Sequence, residues 1–122
     1  MIARLVLGSL LCSLALAPAV AQKASAPPID TVVEVSAADL PPEARDTIAR
    51  IRKGGPYVYA KDGAVFGNRE AHLPAQKRGY YKEYTVKTPG ERTRGARRII
   101  AGAGGELYYT EDHYNKFRRV RE

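Results

Sequence analysis

The 122-residue chain holds a single cysteine, Cys12, and that one lies in a segment expected to be removed. The mature chain therefore has no disulfide and no cysteine-based metal site, and its stability has to come from packing. Long hydrophobic runs are also missing. Leu5 to Ala17 is apolar but shorter than the roughly 20 residues a membrane-spanning helix needs, and Pro18 closes it. With Arg4 in front and the small-x-small stretch Ala19-Val20-Ala21 behind, residues 1–21 read as a secretory signal peptide. Leu11 is bulkier than the small residue expected before a lipidated cysteine, which disfavours a lipid anchor at Cys12. Acids are scarce as well: 13 Asp and Glu face 20 Lys and Arg, a net charge of +7, or +6 once Arg4 leaves with the leader. A small, exported, basic chain is expected to meet a polyanion, whether nucleic acid, acidic polysaccharide or an anionic surface.

Removing residues 1–21 leaves 122 less 21, or 101 residues, enough for one domain with a modest core. Residues 22–30 (QKASAPPID) are small, polar and aperiodic, and read as a flexible arm before a domain spanning 31–122. Thr31 to Val35 is β-branched and suits a short edge strand. Asp39 precedes Leu40-Pro41-Pro42-Glu43 as a capping acid at a helix start. Leu40, Ala44, Ile48 and Ile51 then share one face until Gly54-Gly55-Pro56 ends the helix after about three turns. Beyond it, β-favouring residues come in short runs, giving expected strands near 79–86, 96–102, 106–111 and 116–120. Short connections between them predict sequential antiparallel pairing. The fold class is α+β: one N-terminal amphipathic helix packed on a twisted antiparallel sheet.

Chemistry concentrates in Tyr80-Tyr81-Lys82-Glu83-Tyr84-Thr85-Val86 and the basic run that follows. Strand alternation points Tyr80, Lys82, Tyr84 and Val86 one way, and Tyr81, Glu83 and Thr85 the other. With the helix on the first face, Glu83 stands on the open one. Arg92, Arg94, Arg97 and Arg98 follow closely, and guanidinium groups gathered without matching acids suit a phosphate from outside. A glutamate in such a cluster weakens phosphate attraction, so its presence points to proton removal beside the phosphate rather than binding alone.

Several segments occur in an order that resembles the bacterial guanyl-specific ribonucleases of the microbial ribonuclease fold: Leu40-Pro41-Pro42-Glu43-Ala44, Val65-Phe66-Gly67-Asn68-Arg69-Glu70, Gly79 to Val86, Thr88-Pro89-Gly90, Arg92-Thr93-Arg94-Gly95, Arg97-Arg98-Ile99-Ile100, Tyr108-Tyr109-Thr110 and Asp112-His113-Tyr114. The similarity runs from about residue 36 to 120. It implies cleavage of single-stranded RNA 3′ to guanosine through a 2′,3′-cyclic phosphate, with no metal and no cofactor. Glu83 then corresponds to the catalytic base, Arg94 and Arg98 to the phosphate-binding arginines, His113 to the acid, and Tyr114 to the phosphate-site tyrosine. Such chemistry needs a base for the ribose 2′-OH, cationic support for the phosphorane and an acid for the leaving 5′-oxygen. Arg92 and Arg97 are expected to be solvated, and His72 structural or incidental.

Guanine reading is assigned by the same resemblance to Phe66, Gly67, Asn68, Arg69 and Glu70. The Glu70 carboxylate meets the N1–H and N2–H donors of guanine, and main-chain N–H groups of residues 67–69 meet O6. Adenine lacks the N1 proton and would leave an acceptor facing an acceptor, at roughly 1 to 3 kcal/mol. Gly67 departs from the relatives, which carry a side chain there, and implies a looser loop. Ser36 stands near a half-cystine position of relatives whose ends are tied by a disulfide, which is absent here. The partners expected are single-stranded RNA and an acidic, barstar-like inhibitor, with no membrane attachment and a monomeric chain. Two other readings compete: a basic nucleic-acid-binding module without turnover, in which tyrosines stack bases, and the same nuclease used as an antibacterial toxin.

Overall fold

The computed structural model describes residues 32–122, so the expected leader and arm lie outside the described residues. In chain order the elements are β1 (Val33–Ser36), a 3-10 turn (Ala37–Asp39), α1 (Pro42–Lys53), β2 (Ala64–Val65), β3 (Tyr81–Thr85), β4 (Arg98–Gly102), β5 (Leu107–Thr110) and β6 (Arg118–Arg121). They form one helix against a six-stranded sheet of order β1-β6-β5-β4-β3-β2. The four expected strands are present and pair sequentially antiparallel. Two features differ from the sequence-based expectation. β1 is an edge strand but runs parallel to β6, with Val35 opposite Val120, and Ala64 and Val65 add a two-residue antiparallel edge beside Glu83 and Lys82.

The helix starts one step later than its sequence suggests. Asp39 belongs to the 3-10 turn and caps nothing; Pro41 holds the N-cap position and no side chain bonds there. Pro42 fits the first turn because its missing N–H would have no partner there. At the other end Gly54 adopts φ 78°, a left-handed cap that an L-residue enters at a cost. Leu40, Ala44 and Ile48 are buried against Val86, Ile99, Leu107, Tyr109 and Val120 from the sheet. The Thr47 hydroxyl donates to the Thr85 carbonyl at 3.1 Å and fixes the helix over the third strand.

The opposite face is not simply open. Tyr81, Ile100 and Tyr108 project from it and are covered by Leu73 and Phe117, with Phe66 and Tyr114 packed at the margin. This second small core covers part of that face and leaves Glu83, Thr85 and Arg98 beside it. Period-two alternation decides which neighbours go where. Arg97 turns to the helix side, where it binds the Thr88 hydroxyl and the Lys87 carbonyl and approaches Glu43 at 3.7 Å. Arg97 is therefore a half-buried strut between helix and sheet, not the solvated arginine its sequence suggested; Arg92 is exposed as expected.

Candidate active site

Glu83 sits in the middle of β3, paired with Ala64 on one side and Ile100 on the other, so its backbone is held by two neighbouring strands. Its carboxylate is only partly exposed and is bracketed from both ends. Arg94 Nη2 donates to Oε1 at 3.1 Å, and the Tyr114 hydroxyl donates to Oε2 at 2.9 Å. Arg94 is itself anchored by Nε to the Thr85 hydroxyl at 3.0 Å, which keeps one guanidinium edge for a ligand. Each side chain on this face is thus oriented by a neighbour on the same face.

Arg98 is 3% exposed and is the most enclosed charge of the site. A buried guanidinium is tolerated only when its N–H groups are satisfied. Nη1 donates to the carbonyls of Gly95 (2.9 Å) and Arg97 (2.8 Å), and Nε donates to the Tyr114 hydroxyl at 3.1 Å. The guanidinium carbon also lies 5.9 Å from the centre of the Tyr114 ring. Nη2 makes no bond among the described residues. Tyr114 therefore links both arginine and carboxylate: its hydroxyl accepts from Arg98 while donating to Glu83. Burial, and secondarily the bond to Glu83, raises the tyrosine pKa, so the hydroxyl keeps its proton and remains a donor.

His113 reaches the same place through an unusual turn. His113 and Tyr114 both have left-handed backbones, φ 56° and 72°, a conformation that costs non-glycine residues of order 1 to 3 kcal/mol each. Asp112 opposes that strain. One of its oxygens accepts from the Thr110 hydroxyl and from the Lys116 N–H, both at 3.0 Å, while the Tyr114 N–H donates to the Thr110 hydroxyl at 3.2 Å. The Lys116 N–H bond is the main reason the Asp112 carboxyl lies below its ordinary range. The His113 N–H donates to Ala96 O at 3.0 Å, pinning the turn to the strand-4 approach. The exposed imidazole meets the Tyr114 ring edge-on, with centroids 4.8 Å apart. Carboxylate and imidazole consequently flank one tyrosine, on one face of the sheet.

Beyond Tyr114 lies a cleft of about 250 Å³ lined by Val65 to Glu70, His72, Glu83, Tyr114 and Phe117. Phe66 stacks on Tyr114 with centroids 5.1 Å apart and planes 24° from parallel, making a wall against which a flat base can lie. Asn68 takes φ 49°, and its side-chain amide brackets the loop by donating to Leu73 O and accepting from Leu73 N. Its side chain is committed to loop shape. A Cβ on Gly67 would approach nothing closer than 3.6 Å, and the position lies outside the left-handed region. Glu70 is exposed on the rim, and its Oε2 lies 2.9 Å from His72 Nε2. His72, expected to be structural or incidental, thus lines the cleft and touches the carboxylate expected to meet guanine. A histidine two residues from a glutamate in an aperiodic loop carries no signal of that contact.

Every candidate residue read from the sequence is therefore gathered on one face: Glu83, Arg94, Arg98, His113 and Tyr114 at one end, and Phe66 to Glu70 at the other. No cluster of three metal-ligating side chains occurs among the described residues.

Known proteins resemble this chain in both sequence and fold. The ribonuclease family model matches residues 22–121. Guanyl-specific ribonuclease St of Saccharopolyspora erythraea is 62% identical over 85 residues, covering 70% of this chain and 84% of that protein. Guanyl-specific ribonuclease Sa of Kitasatospora aureofaciens is 60% identical over 82 residues, 66% of this chain and 85% of that protein. A solved structure of ribonuclease Sa2 complexed with mononucleotides superposes with a TM-score of 0.74 at 47% identity, covering 75% of this chain and 95% of that one. Another, of ribonuclease Sa2 with 3′-GMP, gives a TM-score of 0.70 at 47% identity, covering 74% and 97%. The chain belongs to the ribonuclease family, among its bacterial guanyl-specific members.

Proposed function

We propose that the protein is an exported guanyl-preferring endoribonuclease that cleaves single-stranded RNA 3′ to guanosine. The observation that carries this reading is the Glu83 carboxylate held between Arg94 and Tyr114, on the same face as the phosphate-ready arginines and beside an aromatic-walled cleft. In the first step Glu83 takes the ribose 2′-OH proton, the 2′-oxygen attacks phosphorus, and the P–O5′ bond breaks as His113 gives its proton to the leaving oxygen. Arg94 and the Nη2 edge of Arg98 balance the charge that builds on the non-bridging oxygens. The product is a 2′,3′-cyclic phosphate. In the second step the roles reverse: His113 removes a proton from water, the water oxygen bonds to phosphorus, and the P–O2′ bond breaks as Glu83 returns a proton to the 2′-oxygen, leaving guanosine 3′-phosphate.

The cleft supports the base preference. Phe66 supplies the stacking face, the main chain of Gly67, Asn68 and Arg69 donates to O6, and Glu70 accepts from N1–H and N2–H. Solved structures of ribonuclease Sa2 hold guanosine-2′-cyclophosphate and 3′-GMP, ligands of the form this reaction would produce. The protein acts as a monomer after export with its leader, and its basic active face suits an acidic inhibitor protein. The test is to incubate purified residues 22–122 with a short single-stranded oligoribonucleotide in EDTA and sequence the fragment ends. Fragments ending in guanosine 3′-phosphate or its cyclic form are expected. Ends at other bases in equal yield, or dependence on added metal, would overturn the assignment.

A further inference from the structure

Glu70 stands on the rim of the cleft, with a side chain 73% exposed. A carboxylate so placed samples several rotamers in solution, and binding guanine through both oxygens must arrest them. Among the described residues His72 is the side chain that holds it, through Nε2 at 2.9 Å from Oε2. His72 is itself placed by packing: its ring lies against Phe117, centroids 6.3 Å apart, and Phe117 is buried in the second core. Ala71 between the two residues has φ 55°, a left-handed turn within the loop that presents both side chains to the cleft. An ionised carboxylate offers about four lone-pair sites. One imidazole N–H on Oε2 leaves enough of them for both guanine donors, so the contact is compatible with an occupied site.

Resting on the function proposed above, we infer that His72 is a positioning residue for guanine recognition, whose imidazolium holds the Glu70 carboxylate in place for the base and makes guanine preference pH-dependent. The groups facing it are Glu70 on its own loop, Lys116 from the turn before β6 across the adjoining groove, and Arg69, Glu83 and Tyr114 around the cleft. Histidine gains charge as pH falls through about 8 to 5, and only the charged form forms an ion pair. The hold on Glu70 is therefore expected to be stronger at pH 5.5, as an ion pair, than at pH 8, where only the hydrogen bond of a neutral imidazole is left. This dependence is separable from the catalytic pair, because a GpC and an ApC substrate share the same phosphate chemistry and differ only in the base that is read.

The experiment compares kcat/KM for GpC and ApC at pH 5.5 and 8 in the wild type, His72→Ala, His72→Lys and the Glu70→Ala, Glu70→Ala/His72→Ala pair. His72→Ala should lower the GpC-to-ApC ratio about fivefold at pH 5.5, the size of one exposed ion pair, and by less than twofold at pH 8. The loss should appear in KM for GpC rather than in kcat. His72→Lys, charged at both pH values, should keep the wild-type ratio at pH 5.5 and hold it at pH 8. In the Glu70→Ala background, removing His72 should cost nothing further. An unchanged ratio in His72→Ala at pH 5.5 would overturn the inference, as would a higher ratio, which would make the imidazole a competitor of guanine. So would a loss that persists without Glu70. A wild type that cleaves GpC and ApC equally would instead defeat the guanyl reading itself, and the inference with it.

Discussion

Replacing Glu83 by glutamine should separate anion binding from turnover, in opposite directions. The carboxylate shares its face with Arg94 and Arg98, and it accepts from Arg94 Nη2 at 3.1 Å, so it competes with any phosphate for that arginine. Two unit charges ~6 Å apart, the order of separation when a carboxylate and a phosphate share one guanidinium, repel by ~1.4 to ~2.8 kcal/mol at an effective dielectric of ~40 to ~20. Glu83 and Arg94 are 16% and 25% exposed, and the cleft admits solvent, so the lower figure applies. Glu83→Gln should then bind inorganic phosphate about tenfold more tightly, while kcat falls about 100- to 10,000-fold with the loss of the base. Titration calorimetry at low salt and fixed pH gives the first number, and turnover of GpC at saturation gives the second. Weaker phosphate binding in the variant would refute the shared-site argument. A kcat within tenfold of wild type would refute the assignment of Glu83 as base.

The two arginines should respond differently to alanine. Arg98→Ala strands the Gly95 and Arg97 carbonyls and the Tyr114 hydroxyl in a closed environment and should cost about 3 to 5 kcal/mol in urea unfolding; Arg94→Ala, whose ion pair is partly solvated, should cost about 1 kcal/mol or less while losing activity just as severely. Asp112→Asn should flatten the acid limb of stability. The folded carboxyl is depressed, so its stabilisation is complete above the unfolded value near 3.8 and is lost as pH falls through the lower folded value, and wild type and variant should converge below that point in acid-unfolding curves. Gly67→Gln places its Cβ in ordinary contact with Arg69 and should firm the loop by about 0.4 to 1 kcal/mol, raising the preference for GpC over ApC.

The parts of this molecule governed by short-range periodicity were readable in advance. Leu40, Ala44 and Ile48 at helical spacing are the buried face of α1, and alternation along Tyr81 to Thr85 placed Glu83 opposite the helix. The parallel pairing of β1 was not, because Val35 meets Val120 across 85 residues and nothing local distinguishes a parallel edge from an antiparallel one. Nor was the role of Arg97, whose burial depends on where α1 brings Glu43.

The site was legible as a set of residue types, through the resemblance, but not as a mechanism of assembly. Asp112-His113-Tyr114 shows in sequence only that a turn is polar. In the structure two adjacent left-handed residues are held there by an aspartate bonded to Thr110 and Lys116, and this conformation sets the imidazole against one side of the tyrosine ring while the hydroxyl reaches Glu83 and Arg98. Relaxing the turn would move the His113 imidazole and withdraw the Tyr114 hydroxyl from both Glu83 and Arg98. Asp112, which touches none of the reacting atoms in the mechanism, is therefore the residue whose loss should disturb both ends of the reaction at once.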